Sequence, residues 1–379
     1  MGRLKSLLLA LLAFGMLECS GNDEHLPARP AAFDTRLVPS VQSFSLALAG
    51  GSLDLVFADR NSLVLAKVEI LPAPSSNPPF SLGTLTFLDR ISDMPGDDPL
   101  FGAQLFFTQA TDRHLLYLGR AADESMLLKH IHWQQNAGNA TIDALPFAGR
   151  PLAAMPGDDG TLELYFENGG MLCRQPLKPG AAAETLLGSF GPARSASMLA
   201  DERLQAFTVF DLQSQRLILF RKNGRSLDPT VVCPFGAVHF SAMSPDGKAM
   251  ILAYDQPKKR IVLFQENQSG AGFNARPVTV ANEVSCLGMF FYDGMPFFLY
   301  SERVGPRSGR ALYQLSLLIP RSAALERLSY RRQILQSGAS PIPCFRAVAS
   351  SDRLYLALLQ GSVRFLRMNL RDYLRSESD

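Results

Sequence analysis

The chain has 379 residues, of which 47% are hydrophobic and 19% are charged, with 37 basic and 35 acidic side chains. This composition excludes an intrinsically disordered chain, which would need more charge and less apolar material to remain unfolded. The formal net charge of +2 lacks the concentrated field of lysine and arginine that nucleic acids require, so we expect no nucleic-acid partner.

The N-terminal segment predicts export from the cytoplasm. Arg3 and Lys5 precede an apolar run that ends at Leu17 and is too short for a permanent membrane anchor. Cys19 comes two residues later, and the arrangement resembles a bacterial lipoprotein signal. The resemblance implies a lipid-modified Cys19, a location at the cell envelope or in the periplasm, and membrane contact through the lipid alone. Glu18 stands where such signals place a small residue, so a conventionally cleaved or uncleaved signal is the alternative.

A repeat of alternating strands fills the rest of the chain. Residues 240–267 (FSAMSPDGKAMILAYDQPKKRIVLFQEN) contain a strand, a Pro-Asp-Gly turn, a second strand, an acidic turn and a third strand. Seven copies share a turn residue after the first strand: Gly51, Asp112, Asp159, Asp201, Asp246, Asp293 and Asp352. Aspartate and glycine suit tight hairpins because both tolerate left-handed backbone conformations.

A fourth β-prone run follows each of the first six copies: residues 82–90, 140–147, 184–190, 226–233, 275–283 and 331–338. The seventh copy has none, but the strand-like segment at residues 32–40 precedes the first copy. If that segment pairs with the last unit, the array closes into a ring and leaves no open sheet edge at the joint.

We therefore predict an all-β, seven-bladed β-propeller with four antiparallel strands per blade over residues 32–371. A signal with the lipidated cysteine (1–19) and a flexible tether (20–31) precede it, and a charged tail (372–379) follows. The segment SPDGKAMILAYD, residues 244–255, resembles the repeat of WD-like propellers of the Tol-system type. That resemblance, which is at the level of the repeat, implies a ring with ligands or partners on one face and carries over no activity.

Four basic residues precede the turn positions by similar distances, near the starts of innermost strands: Arg150, Arg194, His239 and Arg346. In a ring these positions come round to one mouth of the central channel and form a positive funnel suited to carboxylate or phosphate. The alternative is that they pair with acids of neighbouring blades or extend into solvent.

Acidic residues recur at the ends of second strands: Asp59, Glu167, Asp211, Asp255 and Glu302. Carboxylates gathered on one rim would suit Ca²⁺ or acid/base chemistry. The repeat itself explains the spacing, however, so we expect each carboxylate to cap its own turn.

The remaining cysteines do not form a disulfide framework. Cys286 and Cys344 lie at similar positions in adjacent units, where they either form a disulfide or, like Cys173 and Cys233, serve as small apolar residues. His130 and His132 alternate on one strand, but no third metal ligand is in view, so we predict no metal site.

No motif of a serine hydrolase, P-loop, zinc protease or dinucleotide-binding fold occurs, and we expect no cofactor. The sequence favours a non-catalytic envelope propeller that serves as a recognition or assembly platform for a protein, peptide or glycan. The alternative is a propeller hydrolase or lyase that acts on glycans or another anionic substrate at the arginine-lined mouth.

Overall fold

The structure is a computed structural model, and the signal, the tether and Cys19 lie outside the residues that it describes. The described residues are 36–39, 41–49, 52–59, 62–70, 80–90, 105–109, 112–120, 125–134, 141–178, 180–200, 205–270, 272–305, 311–321, 329–350, 352–359 and 362–371. Every described strand belongs to the unit Ala32–Asp379. Among the described residues, no helix has the length and apolar character needed to span a membrane.

The described residues form seven antiparallel sheets of four strands each. The first sheet contains β2 (Val41–Ala49), β3 (Ser52–Asp59), β4 (Ser62–Ile70) and β5 (Phe80–Arg90). The second contains β6 (Leu105–Gln109), β7 (Asp112–Arg120), β8 (Met126–Gln134) and β9 (Thr141–Pro146). The third contains β10 (Arg150–Pro156), β11 (Leu162–Asn168), β12 (Met171–Pro176) and β13 (Glu184–Leu187).

The remaining sheets follow the same plan. The fourth contains β14 (Ala193–Ala200), β15 (Gln205–Asp211), β16 (Arg216–Asn223) and β17 (Ser226–Cys233). The fifth contains β18 (His239–Met243), β19 (Ala249–Asp255), β20 (Arg260–Glu266) and β21 (Phe273–Val280). The sixth contains β22 (Val284–Tyr292), β23 (Met295–Val304), β24 (Leu312–Pro320) and β25 (Tyr330–Gly338). The seventh contains β26 (Cys344–Ser350), β27 (Arg353–Leu359), β28 (Ser362–Asn369) and β1 (Arg36–Pro39).

The first six sheets are meanders, in which strands pair in chain order. The seventh sheet differs because its fourth strand comes from the other end of the chain. There β1 pairs antiparallel with β28, with Val38 opposite Val363 and Pro39 opposite Ser362. This strand lies within the segment at residues 32–40 that was left without a repeat partner in the sequence.

Packing of sheet on sheet explains why many strands are apolar on both faces. All of β19 is buried, and its residues alternate between two neighbours. Ile251 shares a core cluster with Leu219 of the fourth sheet, whereas Leu252 shares one with Phe298 of the sixth. Alternate side chains of a strand point to opposite faces, so a strand between two sheets must be apolar throughout.

Sheets that follow one another in the chain are also neighbours in space. Core clusters join the second sheet to the third, the third to the fourth, the fourth to the fifth and the fifth to the sixth. The first strands of the other neighbouring sheets touch directly: β2 with β6, β22 with β26, and β26 with β2. The first and seventh sheets are therefore in contact as well.

Candidate functional site

The first strands of the third to seventh sheets begin at one common end of the structure. Arg150 at the start of β10 donates to the carbonyl of Ala193 at the start of β14, at 2.5 Å. Ser195 of β14 contacts His239 at the start of β18, and Ser285 of β22 bonds the carbonyl just before β26. We call this end the strand-start face. It includes the turns from second to third strands, because those strands are antiparallel to the first.

Arg150 is half-buried and reaches across to the neighbouring sheet. In register it lies opposite Glu167, whose Oε1 accepts a hydrogen bond from the Gly170 amide at 3.2 Å. The guanidinium therefore serves at least partly to join two sheets through a backbone carbonyl. Arg194 lies on β14, but its side chain is outside the described residues, so its predicted role stays a prediction.

His239 does not supply the positive charge predicted for it. Its Nδ1 lies 3.0 Å from Ser195 Oγ and 2.9 Å from the Gly236 carbonyl oxygen. Burial lowers the pKa of His239 to about 4. The imidazole is neutral at pH 7, because desolvation penalises the charged form.

Arg346 lies on β26, and its role at the predicted channel mouth stays a prediction. Its side chain is exposed, and NH1 donates to the Phe345 carbonyl at 3.0 Å and to Cys344 Sγ at 3.5 Å. Neither acceptor is a carboxylate, and no ion pair of Arg346 occurs among the described residues. An accessible guanidinium without a carboxylate partner is a binding group for an anion.

Cys286 and Cys344 are free thiols in the structure. They lie on β22 and β26, the first strands of adjacent sheets, which are in contact. Burial, with a further effect of the Cys344 charge, raises the pKa of the Cys286 thiol to about 12. A thiol that stays protonated is a poor nucleophile for disulfide exchange, so a disulfide here stays a prediction for oxidising conditions.

Asp211 and Asp255, at the ends of second strands, cap their own turns as expected, whereas Glu302 does not and bonds the segment before β22 instead. Asp211 accepts from the amides of Gln213 and Ser214 at 3.0 and 3.1 Å. Asp255 accepts from the amide of Lys258 at 3.4 Å. Glu302 accepts from the Asn282 amide at 2.7 Å and also pairs with an arginine of β25. The side chain of Asp59 lies outside the described residues.

A histidine cluster contains one member that the sequence analysis missed. His114 of β7 lies opposite His132 of β8, with ring centroids 4.7 Å apart, and its Nδ1 is 3.0 Å from His130 Nε2. Only the pairing register of β7 and β8 reveals it. Among the described residues no group of three or more ligand side chains is arranged to hold a metal ion.

A cleft of about 510 Å³ lies on the strand-start face between the fifth and sixth sheets. Gln256 and Lys259 line it from the β19–β20 turn, Asn282 and Glu283 from the segment before β22, and Arg303 from the end of β23. Three separate chain segments build it, which is why spacing in the sequence did not indicate it. We call it the turn cleft.

No protein-family model matches the chain, and no curated protein is similar to it in sequence. Among solved structures, a streptogramin B lyase aligns with 89% of this chain and 96% of its own, at 9% identity and a TM-score of 0.51. The fold is that of the β-propellers. Identity this low shows the fold alone.

Two further propellers align with lower TM-scores. A catalytically inactive virginiamycin B lyase from Staphylococcus aureus with quinupristin covers 88% of this chain and 97% of its own, at 10% identity and a TM-score of 0.48. The structure of YCF48 bound to D1 peptide aligns with 88% of this chain and 93% of its own, at 12% identity and a TM-score of 0.47. One is a lyase and one binds a peptide, so the likeness does not choose between catalysis and recognition.

Proposed function

We propose that this chain is a lipid-anchored protein of a bacterial envelope, with a closed seven-bladed propeller that recognises a protein, peptide or glycan partner. The seven four-stranded sheets, the pairing of β1 with β28 and the contact of β26 with β2 support the closed ring. The apolar run before Cys19 supports the anchor. Recognition takes place on the strand-start face.

The observation that carries this proposal is the environment of Arg346. Its guanidinium is exposed at the start of β26, and its hydrogen bonds go to a carbonyl and a thiol. Two such bonds leave several of its five donors available to an anionic or carbonyl group of a partner. Charge-assisted hydrogen bonds from arginine are among the strongest single contacts of an interface.

The geometry of Ser195 and His239 on the same face favours recognition over the hydrolase or lyase alternative. A serine nucleophile needs a neighbouring nitrogen that is free to accept its proton. The Gly236 carbonyl oxygen can only accept, and at 2.9 Å it favours the tautomer with a proton on His239 Nδ1, the nitrogen that faces Ser195. In that tautomer the Ser–His pair is polarised in the wrong direction for nucleophile activation. It joins two neighbouring sheets instead.

Cross-linking in envelopes of the native host tests the recognition role. We expect Arg346→Gln to lower the recovery of a cross-linked partner by about tenfold, the loss typical of one charged hydrogen bond. Arg353→Gln is the matched control, because Arg353 is exposed in the same sheet at the opposite end of β27. Equal recovery for both variants would contradict the role of Arg346. Turnover of envelope glycans that depends on Arg346 or Arg194 would support the enzyme instead.

Metabolic labelling with radioactive palmitate tests the anchor. We expect the wild-type chain to incorporate label and to fractionate with membranes, whereas Cys19→Ala does neither, because the acyl chain is attached at that residue. Cys173→Ala, which removes a buried thiol of the propeller, is the control and should be labelled normally. Equal labelling of the Cys19→Ala variant and the wild type would rule out the anchor.

A further inference from the structure

The turn cleft is a built cavity whose walls are fixed by hydrogen bonds. The Ala281 amide donates to the Lys259 carbonyl at 3.0 Å, and Tyr254 Oη donates to the Ala281 carbonyl at 3.3 Å. On the other wall, the Arg303 amide donates to the Glu283 carbonyl at 3.3 Å. These bonds tie the three segments that line the cleft, so little order has to be gained when a ligand enters.

Lys259 lines the cleft from a turn in which it has an unusual backbone conformation. Its φ of 48° lies in the left-handed region, which non-glycine residues seldom adopt and which clusters at functional positions. The equivalent residue in the fourth sheet is Gln215, with φ of 55°, in a turn that Asp211 caps as Asp255 caps this one. The two turns therefore share a fold and differ in this side chain.

The two side chains have different uses. Gln215 Nε2 donates to the Leu212 carbonyl of its own turn at 2.7 Å. The Lys259 ammonium makes no hydrogen bond or ion pair with any side chain or carbonyl of the described residues. Lys259 replaces a turn-closing glutamine and lines a cavity, so its ammonium group is available to a ligand.

The charges around the cleft specify the sign of that ligand. Arg303 NH1 pairs with Glu283 Oε2 at 3.0 Å, so these two charges compensate each other. The ammonium of Lys259 is the uncompensated charge among the described lining residues. A ligand that fills the cleft therefore gains the most binding free energy if it places a carboxylate beside Lys259.

The uncharged lining groups favour a peptide as the carrier of the carboxylate. Gln256 and Asn282 each offer a donor and an acceptor, which matches the amide groups of a peptide backbone. Saccharides usually rest a ring face on an exposed aromatic side chain, but Tyr254 is only 6% exposed. A cavity of about 510 Å³ has the size of a site for a short peptide segment.

We propose that the turn cleft binds an acidic peptide segment, with a glutamate or aspartate carboxylate of the peptide paired to Lys259. This site is separate from Arg346 and goes beyond the proposed function, because it predicts a second contact on the strand-start face with its own chemistry. A partner that uses both sites would place an anionic group at each of them.

Saturation-transfer NMR on the full chain tests the proposal with two peptide libraries. The first is an equimolar set of N-acetyl-X-Glu-X-amide tripeptides, and the second replaces Glu with Gln. We expect the acidic library to bind about tenfold more tightly, the effect of one charged contact, and added salt to weaken that preference. Lys259→Gln, which reproduces the side chain of the fourth sheet, should abolish the preference.

Lys258→Gln is the matched control, since Lys258 is the neighbouring lysine of the same turn and does not line the cleft. It should retain the preference, and so should Arg346→Gln, which separates this proposal from the one above. Equal binding of the two libraries, no binding of either, or equal losses in the Lys258 and Lys259 variants would overturn it. Preferential binding of digalacturonate over the acidic tripeptides would assign the cleft to a glycan and overturn it as well.

Discussion

The position of a single proton distinguishes two functions at the strand-start face. His239 Nδ1 lies near a hydroxyl and a carbonyl, and because the carbonyl cannot donate, it favours a proton on this nitrogen. The same ring, with its proton on the other nitrogen, would resemble the base of a serine hydrolase. The presence of a histidine at this position does not by itself distinguish a structural role from a catalytic one.

Two buried histidines make the folded state sensitive to acid. The pKa values of His130 and His239 are both lowered by burial from 6.5 to about 4. Between these pH values the unfolded chain binds more protons than the folded one, so stability falls as pH decreases. The contribution of each histidine is complete above about pH 6.5 and is lost by about pH 4, with an upper limit of about 3 kcal/mol each.

Urea unfolding of the wild type, His130→Gln and His239→Gln at pH 4.5, 5.5 and 7 measures this effect. We expect each variant to lose less free energy of unfolding than the wild type as the pH falls across this range. Carboxylates titrate in all three proteins and cancel in the comparison. The same loss in wild type and variants would show that the histidines are not the source.

Strands and turns were the elements most accessible to sequence reasoning. The run predicted at residues 226–233 is β17 with the same bounds, and the run at 331–338 is β25 within one residue. Alternating side chains and turn residues are local signals, and each is complete within a few residues. The caps by Asp211 and Asp255 followed from the same local repetition.

Contacts between elements were harder to predict from the sequence. The sequence analysis singled out Arg346 because its strand start repeats along the chain, whereas it did not single out His114 or Lys259. His114 meets its partners only through the register of β7 with β8, and Lys259 lines a cleft only because its turn lies beside the next sheet. Register and sheet packing are not encoded in any one segment.

At the scale of the whole molecule, the pairing of β1 with β28, which joins the two ends of the chain, can be tested directly. A chain that begins at Ser40 lacks β1 and leaves β28 as an open edge, whereas a chain that begins at Ala32 retains it. We expect the shorter chain to have a Tm several degrees lower and to associate as its concentration rises, because an unpaired edge strand is a template for another chain. Calorimetry and light scattering measure both effects.

An equal Tm and a monomeric state for the two truncated chains would show that β1 contributes nothing to closure. The chain that begins at Ala32 serves as the control for loss of the signal and tether, which both chains lack. The comparison therefore reports on the four residues of β1 and the few before them.

The sequence by itself determined that this protein is all-β, that its strands come in repeated groups, and that its first strand was missing a partner. These properties follow from local patterning and turn chemistry, which do not depend on distant residues. Only the tertiary structure decided which groups face Nδ1 of His239, that His114 joins two other histidines, and that Lys259 lines a cleft. Such properties arise where sheets from different parts of the chain meet, because burial and hydrogen bonding there depend on both partners at once.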